Sequence, residues 1–270
     1  MHRMKAVLVG LLAGWLIAAG CHRPTAPAAG TGQSTPLRVA VASDLRPAME
    51  AILAALAYQH PNMRVEPVYG SSGQFYAQIA QGAPLDLFFS ADEQYPRKLI
   101  DQGLALPDTE FRYARGQIVL WARGDSPRPV DTQGMEVLRD MAVQKIAIAH
   151  PDHAPYGRAA VAALRHFGLY ELVDSRLVRA ENVAQAAQFV QSGAADVGII
   201  ALSLVRAPPL SDAGRWWLIP LDSYPPLIQS GVILRRARDR KEARQLAQFV
   251  MSDEGQAILR RFGFLAAEGS

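Results

Sequence analysis

Two short loops place serine hydroxyls directly before a helix. VASDL at residues 41–45 contains Ser43, and YGSSGQ at residues 69–74 contains Ser71 and Ser72. Each loop follows an apolar run typical of a strand, so hydroxyls and the unpaired N–H groups of a helix N-terminus point to one place. Such donors bind an anion without a full positive charge. A plain helix cap explains either loop alone, but two loops at equivalent strand-to-helix positions favour an anion-binding site.

Alternating strands and helices must position these loops. Strands are predicted at residues 37–41, 64–68, 86–90, 117–122, 145–149, 177–179, 196–200, 216–220 and 230–234. Helices are predicted at residues 47–59, 74–81, 94–101, 158–167, 183–192, 241–251 and 254–262. This alternation predicts an α/β protein with mostly parallel sheets. The segments 117–123 and 218–223 have the pattern of crossings between two lobes, with a ligand in the crevice between them.

The N-terminus has the pattern of an export signal. A basic start with Arg3 and Lys5 precedes an apolar stretch too short to span a bilayer, and residues 1–20 are therefore predicted to be a signal peptide. IAAGC at residues 17–21 resembles a bacterial lipobox, which predicts cleavage before Cys21 and lipid on its side chain. An ordinary signal peptide followed by an incidental cysteine is the alternative. Residues 21–36, rich in Pro, Ala and Gly, are predicted to form a flexible tether.

Charge and motifs exclude several classes of function. The chain has 270 residues and a formal net charge of +3, and its basic and acidic residues nearly balance outside residues 1–20, which argues against a nucleic-acid binder. It has no Gly-x-x-x-x-Gly-Lys phosphate loop and no Gly-x-Ser-x-Gly nucleophile elbow. His150 and His153 with Asp152 form a weak metal candidate, because no third ligand is evident.

Several segments together resemble one protein family. They are VASDL at 41–45, GSSG at 70–73, QGAPLDLFFSAD at 81–92, HPDHAPYG at 150–157, ENV at 181–183, DVGI at 196–199 and RFGF at 261–264. In this order they resemble the periplasmic molybdate-binding proteins of ABC importers, over residues 37–264. The resemblance implies a two-lobed periplasmic binding protein of type II, with residues 37–118 and 223–270 in lobe 1 and residues 119–222 in lobe 2. Each lobe is expected to be a mostly parallel sheet flanked by helices.

The resemblance also implies how molybdate or tungstate would be held. Ser43 and Ser72 match the family's two serine ligands, with Ser71 second to Ser72. Tyr156 and Val183 match positions that contribute backbone N–H groups. The expected ligand is thus an oxyanion held by neutral donors, with no direct cation site.

One position departs from the family pattern. The family often has a tyrosine where this chain has Ala201. The lost hydroxyl could be replaced by Ser203 or by the Tyr156 phenol. This departure leaves the oxyanion itself open among molybdate, tungstate and others.

The function implied is a substrate-binding lipoprotein that delivers molybdate or tungstate to the permease of an ABC importer. The protein is expected to be exported, held at the periplasmic face of a membrane by lipid on Cys21, monomeric, and without cofactor, catalytic residue or nucleic-acid partner. The first alternative is the same fold binding another small oxyanion. The second is an exported serine hydrolase using Ser43 or Ser72, which is disfavoured because no Ser–His–Asp arrangement is evident.

Overall fold

The computed structural model describes residues 35–267. Its strands are β1 (Leu37–Ala42), β2 (Val65–Gly70), β3 (Leu87–Ser90), β4 (Phe111–Gly116), β5 (Ile118–Arg123), β6 (Ile146–Ala149), β7 (Leu177–Ala180), β8 (Val197–Ala201), β9 (Gly214–Leu218) and β10 (Leu227–Ile233). Its α-helices are α1 (Arg46–Gln59), α2 (Ser72–Ala80), α3 (Gln94–Asp101), α4 (Val130–Gln133), α5 (Pro155–His166), α6 (Tyr170–Val173), α7 (Val183–Gln191), α8 (Leu202–Val205), α9 (Leu210–Ala213), α10 (Lys241–Met251) and α11 (Asp253–Arg261). Short 3-10 helices occupy Ser43–Leu45, Pro107–Thr109, Gly134–Arg139, Asp174–Arg176 and Arg235–Ala237.

Two five-stranded sheets form two lobes. Lobe 1 contains the sheet with strand order β2-β1-β3-β10-β4, and lobe 2 contains the sheet with order β7-β6-β8-β5-β9. The expected two-lobed α/β fold is confirmed, but both sheets are mixed. In each sheet two pairings are parallel and two are antiparallel. The antiparallel pairings belong to the two strands that follow the crossings between lobes. Strand β5 enters lobe 2 from lobe 1 and β10 enters lobe 1 from lobe 2, and each is antiparallel to both of its neighbours.

The chain crosses between the lobes twice. Gln117 alone separates β4 of lobe 1 from β5 of lobe 2, and residues 219–226 lead from β9 back to β10. The Gln117 side-chain amide donates to the Gly263 carbonyl at 2.8 Å. The Gln117 backbone carbonyl accepts from the Leu202 N–H at 2.9 Å. The first crossing is therefore bonded to both lobes.

Apolar spacing explains the helices that support the binding loops. In α1, Ala48, Met49, Ile52 and Leu56 are buried, a spacing that places all four on one helix face. They pack with the apolar side chains of β1 in the core of lobe 1. The start of α1 is thereby fixed directly behind the loop that carries Ser43.

Sequence patterns located the long elements better than the short ones. The four-residue helices α4, α6, α8 and α9 and the strand β4 were not predicted; β4 has the sequence FRYARG, in which two arginines obscure its apolar positions. Helices α2 and α5 begin two and three residues earlier than predicted. This difference matters, because it places Ser72 and Tyr156 in the first turn of a helix.

The predicted signal peptide, Cys21 and nearly all of the predicted tether lie outside the described residues. Within residues 35–267, none of the helices combines the length and the apolar character needed to cross a bilayer.

Candidate functional site

One small pocket lies where five chain segments from both lobes meet. Its lining residues are Ala42, Ser43, Asp44, Gly70, Ser71, Ser72, Ala91, Ala154, Pro155, Tyr156, Asn182 and Val183. The predicted ligands Ser43, Ser72, Tyr156 and Val183, together with Ser71, are thus brought to one place, although up to 140 residues separate them. Ala201 and Ser203 do not line this pocket.

Both serine hydroxyls have a proton available for a guest. The Ser72 Oγ accepts a hydrogen bond from the Ala91 N–H at 2.9 Å, which fixes the oxygen and leaves its proton free to be donated. The Ser43 Oγ has no hydrogen-bond partner among the described residues. Both residues are buried and line the pocket.

Three helices begin at the pocket. Val183 is the first residue of α7, where Asn182 accepts the Gln185 N–H at 3.0 Å. Tyr156 follows Pro155, the first residue of α5, and α2 begins at Ser72. First-turn N–H groups have no partner within a helix, and a helix N-terminus carries a partial positive charge. The N–H groups of Tyr156 and Val183 are therefore donors available to an anion.

Gly157 allows α5 to start so close to the sheet. A Cβ atom at this position would lie 2.2 Å from the Ala149 carbonyl oxygen, at the end of β6. Only a residue without a side chain fits there, because real Cβ atoms do not approach a backbone oxygen so closely. The position of the neighbouring Tyr156 N–H therefore depends on this glycine.

A buried carboxylate behind the serine loops was not anticipated as a functional group. The Asp44 Oδ2 accepts from the Tyr156 hydroxyl at 3.0 Å and from the Gln229 amide at 2.7 Å. Burial raises the pKa of Asp44 to about 6, although these two hydrogen bonds oppose the shift. Its sequence context, between a strand and a helix, suggested only a cap, because Gln229 is 185 residues away.

The two replacements considered for the hydroxyl missing at Ala201 are engaged elsewhere. The Tyr156 phenol donates to Asp44, and the Ser203 hydroxyl donates to the Asp44 carbonyl oxygen at 2.7 Å. Both hydroxyls donate to groups of Asp44 in this structure, so the donor that replaces the lost contact stays a prediction. Ala201 itself is buried at the end of β8, paired with Ile118 of β5.

Contacts around the rim hold the lobes together. The Gly73 N–H donates to the His153 carbonyl at 2.9 Å, and the Ser71 Oγ lies 3.0 Å from the His153 Nδ1. The Arg158 guanidinium forms an ion pair with Asp92 at 2.5 Å. The Gln74 amide also donates to the Glu181 carboxylate across the cleft. The lobes are therefore in contact on the rim, and the arrangement is a closed one.

Within residues 35–267, the serines of the pocket and the histidines of the rim do not form a Ser–His–Asp triad. Within the described residues no hydrogen bond joins Ser43 or Ser72 to a histidine, and no carboxylate contacts His153, the neighbour of Ser71. The His150 and His153 rings stack with centroids 5.0 Å apart. No group of three or more potential metal-ligating side chains occurs in residues 35–267.

Comparison with known proteins agrees with this geometry. A family model described as bacterial extracellular solute-binding protein matches residues 37–265. The chain is 36% identical over 213 residues to the molybdate-binding protein ModA of Rhodobacter capsulatus, covering 79% of this chain and 82% of that protein. It is 27% identical over 272 residues to the putative ABC transporter substrate-binding lipoprotein YvgL of Bacillus subtilis (strain 168), covering 98% of this chain and 100% of that protein.

A solved structure has the same architecture. The periplasmic molybdate-binding protein of Azotobacter vinelandii superposes with a TM-score of 0.80 at 37% sequence identity, over 86% of this chain and all of that one. Because the family match spans nearly all of the described residues and the identity to a full-length relative exceeds 30%, the chain belongs to the bacterial extracellular solute-binding proteins.

Proposed function

We propose that this chain is the substrate-binding component of an ABC importer and captures molybdate or tungstate. The observation that carries this proposal is the pocket between the lobes, where two serine hydroxyls and the first-turn amides of three helices converge. Its lining residues include no Lys, Arg or His. The relatives named for molybdate binding support this choice of oxyanion.

Neutral donors suit a tetrahedral dianion that must later be released. Each hydrogen bond to a charged group contributes about 1.5–3 kcal/mol, and each partly buried helix N-terminus contributes up to about 2 kcal/mol. Ser43, Ser72, Tyr156 and Val183 together supply enough donors to replace much of the water shell. Since no buried cation holds the anion, reopening of the lobes returns it to solvent without breaking an ion pair.

Capture then depends on the movement of the lobes. Ser43 and Ser72 belong to lobe 1, whereas Tyr156 and Val183 belong to lobe 2. An anion that contacts both sets binds the closed form more tightly than the open one, and so shifts the population toward closure. The permease is proposed to recognise this closed form. Binding without catalysis is the whole of the proposed activity.

Export and anchoring form the finer part of the proposal. The protein would lie at the periplasmic face of a bacterial membrane, as a monomer held by lipid on Cys21. The relative named as a substrate-binding lipoprotein supports this anchoring. The lipobox-like IAAGC segment supports it independently.

Calorimetric titration with molybdate, tungstate, sulfate and phosphate tests the proposal. Binding of molybdate or tungstate at micromolar protein, with sulfate and phosphate at least tenfold weaker, is the expected result. The Ser43→Ala, Ser72→Ala double variant should lose at least tenfold in affinity. Absence of heat with both metal oxyanions would refute the assignment, and preference for sulfate or phosphate would identify the alternative oxyanion.

A further inference from the structure

The Asp44 carboxyl lies at a junction of both lobes. From lobe 2, the Tyr156 hydroxyl donates to its Oδ2 and the Ser203 hydroxyl donates to its backbone oxygen. From lobe 1, the Gln229 amide donates to the same Oδ2. Gln229 is held in turn by the Tyr113 hydroxyl, which donates to its Oε1 at 2.9 Å. The bonds from Tyr156 and Ser203 therefore join the two lobes.

Among residues 35–267 only neutral donors hold this carboxyl: the side chains of Tyr156 and Gln229 and the backbone N–H groups of Asp44 and Leu45, all of which lower its pKa. The side chains facing it are Tyr156 from α5, Tyr113 from β4 and Gln229 from β10, with Tyr224 of the second crossing next to Tyr156. No Lys, Arg or His forms an ion pair with Asp44 in the part of the chain that the structure describes. The nearest arginine in sequence, Arg46, stacks on the Tyr69 ring instead. The neighbouring helices α7 and α8 carry no charged residue.

An ionised Asp44 would oppose the binding of a dianion. Asp44 is a lining residue of the pocket and its carboxyl is buried directly behind the serine loops, so its negative charge would lie close to that of the anion with little water to screen the repulsion. A neutral carboxyl removes this repulsion. The neutral carboxyl also keeps one unprotonated oxygen that accepts the hydrogen bonds from Tyr156 and Gln229. Protonation of Asp44 therefore leaves these two bonds of the closed arrangement in place.

We propose that Asp44 is a proton-coupled positioning residue, whose carboxyl group holds Tyr156 against lobe 1 and takes up one proton from solvent as the anion binds. This inference rests on the proposed function. The position of the Tyr156 N–H, one of the expected anion donors, then depends on a bond made by the side chain of the same residue.

The sign of the pH dependence follows from the protonation states. Burial already raises the pKa of Asp44 to about 6 in the closed protein, and a bound dianion raises it further. Above about pH 6 the anion-free closed form is mostly ionised at Asp44, and a bound dianion keeps a larger fraction of this carboxyl protonated, so binding draws in a proton. Affinity therefore falls as pH rises through the interval between the free and bound pKa values, by up to about tenfold per pH unit.

Calorimetry with molybdate, repeated in two buffers of different ionisation enthalpy between about pH 6 and pH 8.5, measures this proton uptake directly. The wild type should take up a fraction of a proton that approaches one where the dependence on pH is steepest. Asp44→Asn, which mimics the neutral carboxyl, should bind with no linked proton and a flat pH profile. Tyr156→Phe removes a bond that stabilises the ionised form, and should move the uptake to higher pH.

Asp92→Asn is the matched control, because it removes an acid that also joins the lobes but lies on the rim with Arg158. It should bind molybdate more weakly with the proton uptake of the wild type. Molybdate binding by the wild type without proton uptake would overturn this inference alone, even if Asp44→Asn failed to fold. Equal uptake in the wild type and Asp44→Asn would also overturn it. Failure of the wild type to bind molybdate or tungstate would overturn both the inference and the proposed function.

Discussion

Replacing Ser43 and Ser72 separately by alanine should separate binding from stability. Both hydroxyls are proposed to donate to the anion, and each loss should cost about 1.5–3 kcal/mol of binding free energy, or roughly 10- to 150-fold in affinity. The effects on the empty protein should differ. Ser72 Oγ is the acceptor for the buried Ala91 N–H, whereas Ser43 Oγ has no partner among the described residues.

The difference in stability can be worked out from that one bond. Ser72→Ala leaves the Ala91 N–H buried without an acceptor, which costs about 1–3 kcal/mol. For a chain of this size, 1 kcal/mol corresponds to about 2–4 °C, so the melting temperature of the anion-free protein should fall by roughly 2–12 °C. Ser43→Ala should leave it within about 1 °C, because no internal hydrogen bond is lost.

Thermal unfolding without anion and calorimetry with molybdate measure the two effects. Ser192→Ala is the control, since this exposed serine at the end of α7 bonds only the local Phe189 carbonyl. This variant should change neither the melting temperature of the anion-free protein nor its affinity for molybdate. The reasoning would be refuted if Ser43→Ala destabilised the anion-free protein as much as Ser72→Ala, or if both variants kept wild-type affinity.

Three further substitutions test the framework, the rim and the anchor. Gly157→Ala should lower the melting temperature and weaken molybdate binding, because the added methyl group collides with the end of β6 and displaces the Tyr156 N–H. Wild-type melting temperature and wild-type affinity in this variant would contradict this reasoning. Arg158→Ala should speed molybdate release about two- to fivefold in stopped-flow measurements, since the partly exposed ion pair with Asp92 contributes about 1 kcal/mol or less to closure; an unchanged rate would show that the pair does not hold the lobes. Cys21→Ser should abolish membrane association and the lipid mass on the mature N-terminus; an unchanged membrane fraction would exclude lipidation of this residue.

The serine loops could be found from the sequence because their signal is local. Ser43 and Ser72 each lie between an apolar strand and a helix, and both patterns fit within about ten residues. Strands β1 and β2 pair in parallel, so their carboxyl ends lie side by side. The meeting of the two hydroxyls follows from that pairing.

Side-chain direction could not be found in the same way. The sequence offers the Tyr156 phenol as a donor to the pocket, yet it turns toward Asp44, 112 residues earlier in the chain. That choice depends on a buried acceptor, on Gln229 beside it and on the closeness of the two lobes. None of these is encoded within a window of neighbouring residues, so the Asp44 cluster emerged only from the tertiary structure.

The position of β10 has a consequence for how the protein matures. This strand lies between β3 and β4, although more than a hundred residues separate it from β4 along the chain. Lobe 2 comes from one uninterrupted stretch and can consolidate early, whereas the sheet of lobe 1 stays divided until the last quarter of the polypeptide arrives. In the proposed export of this protein, a chain still in translocation would have an incomplete lobe 1 sheet, and molybdate would be captured only after translocation is nearly complete.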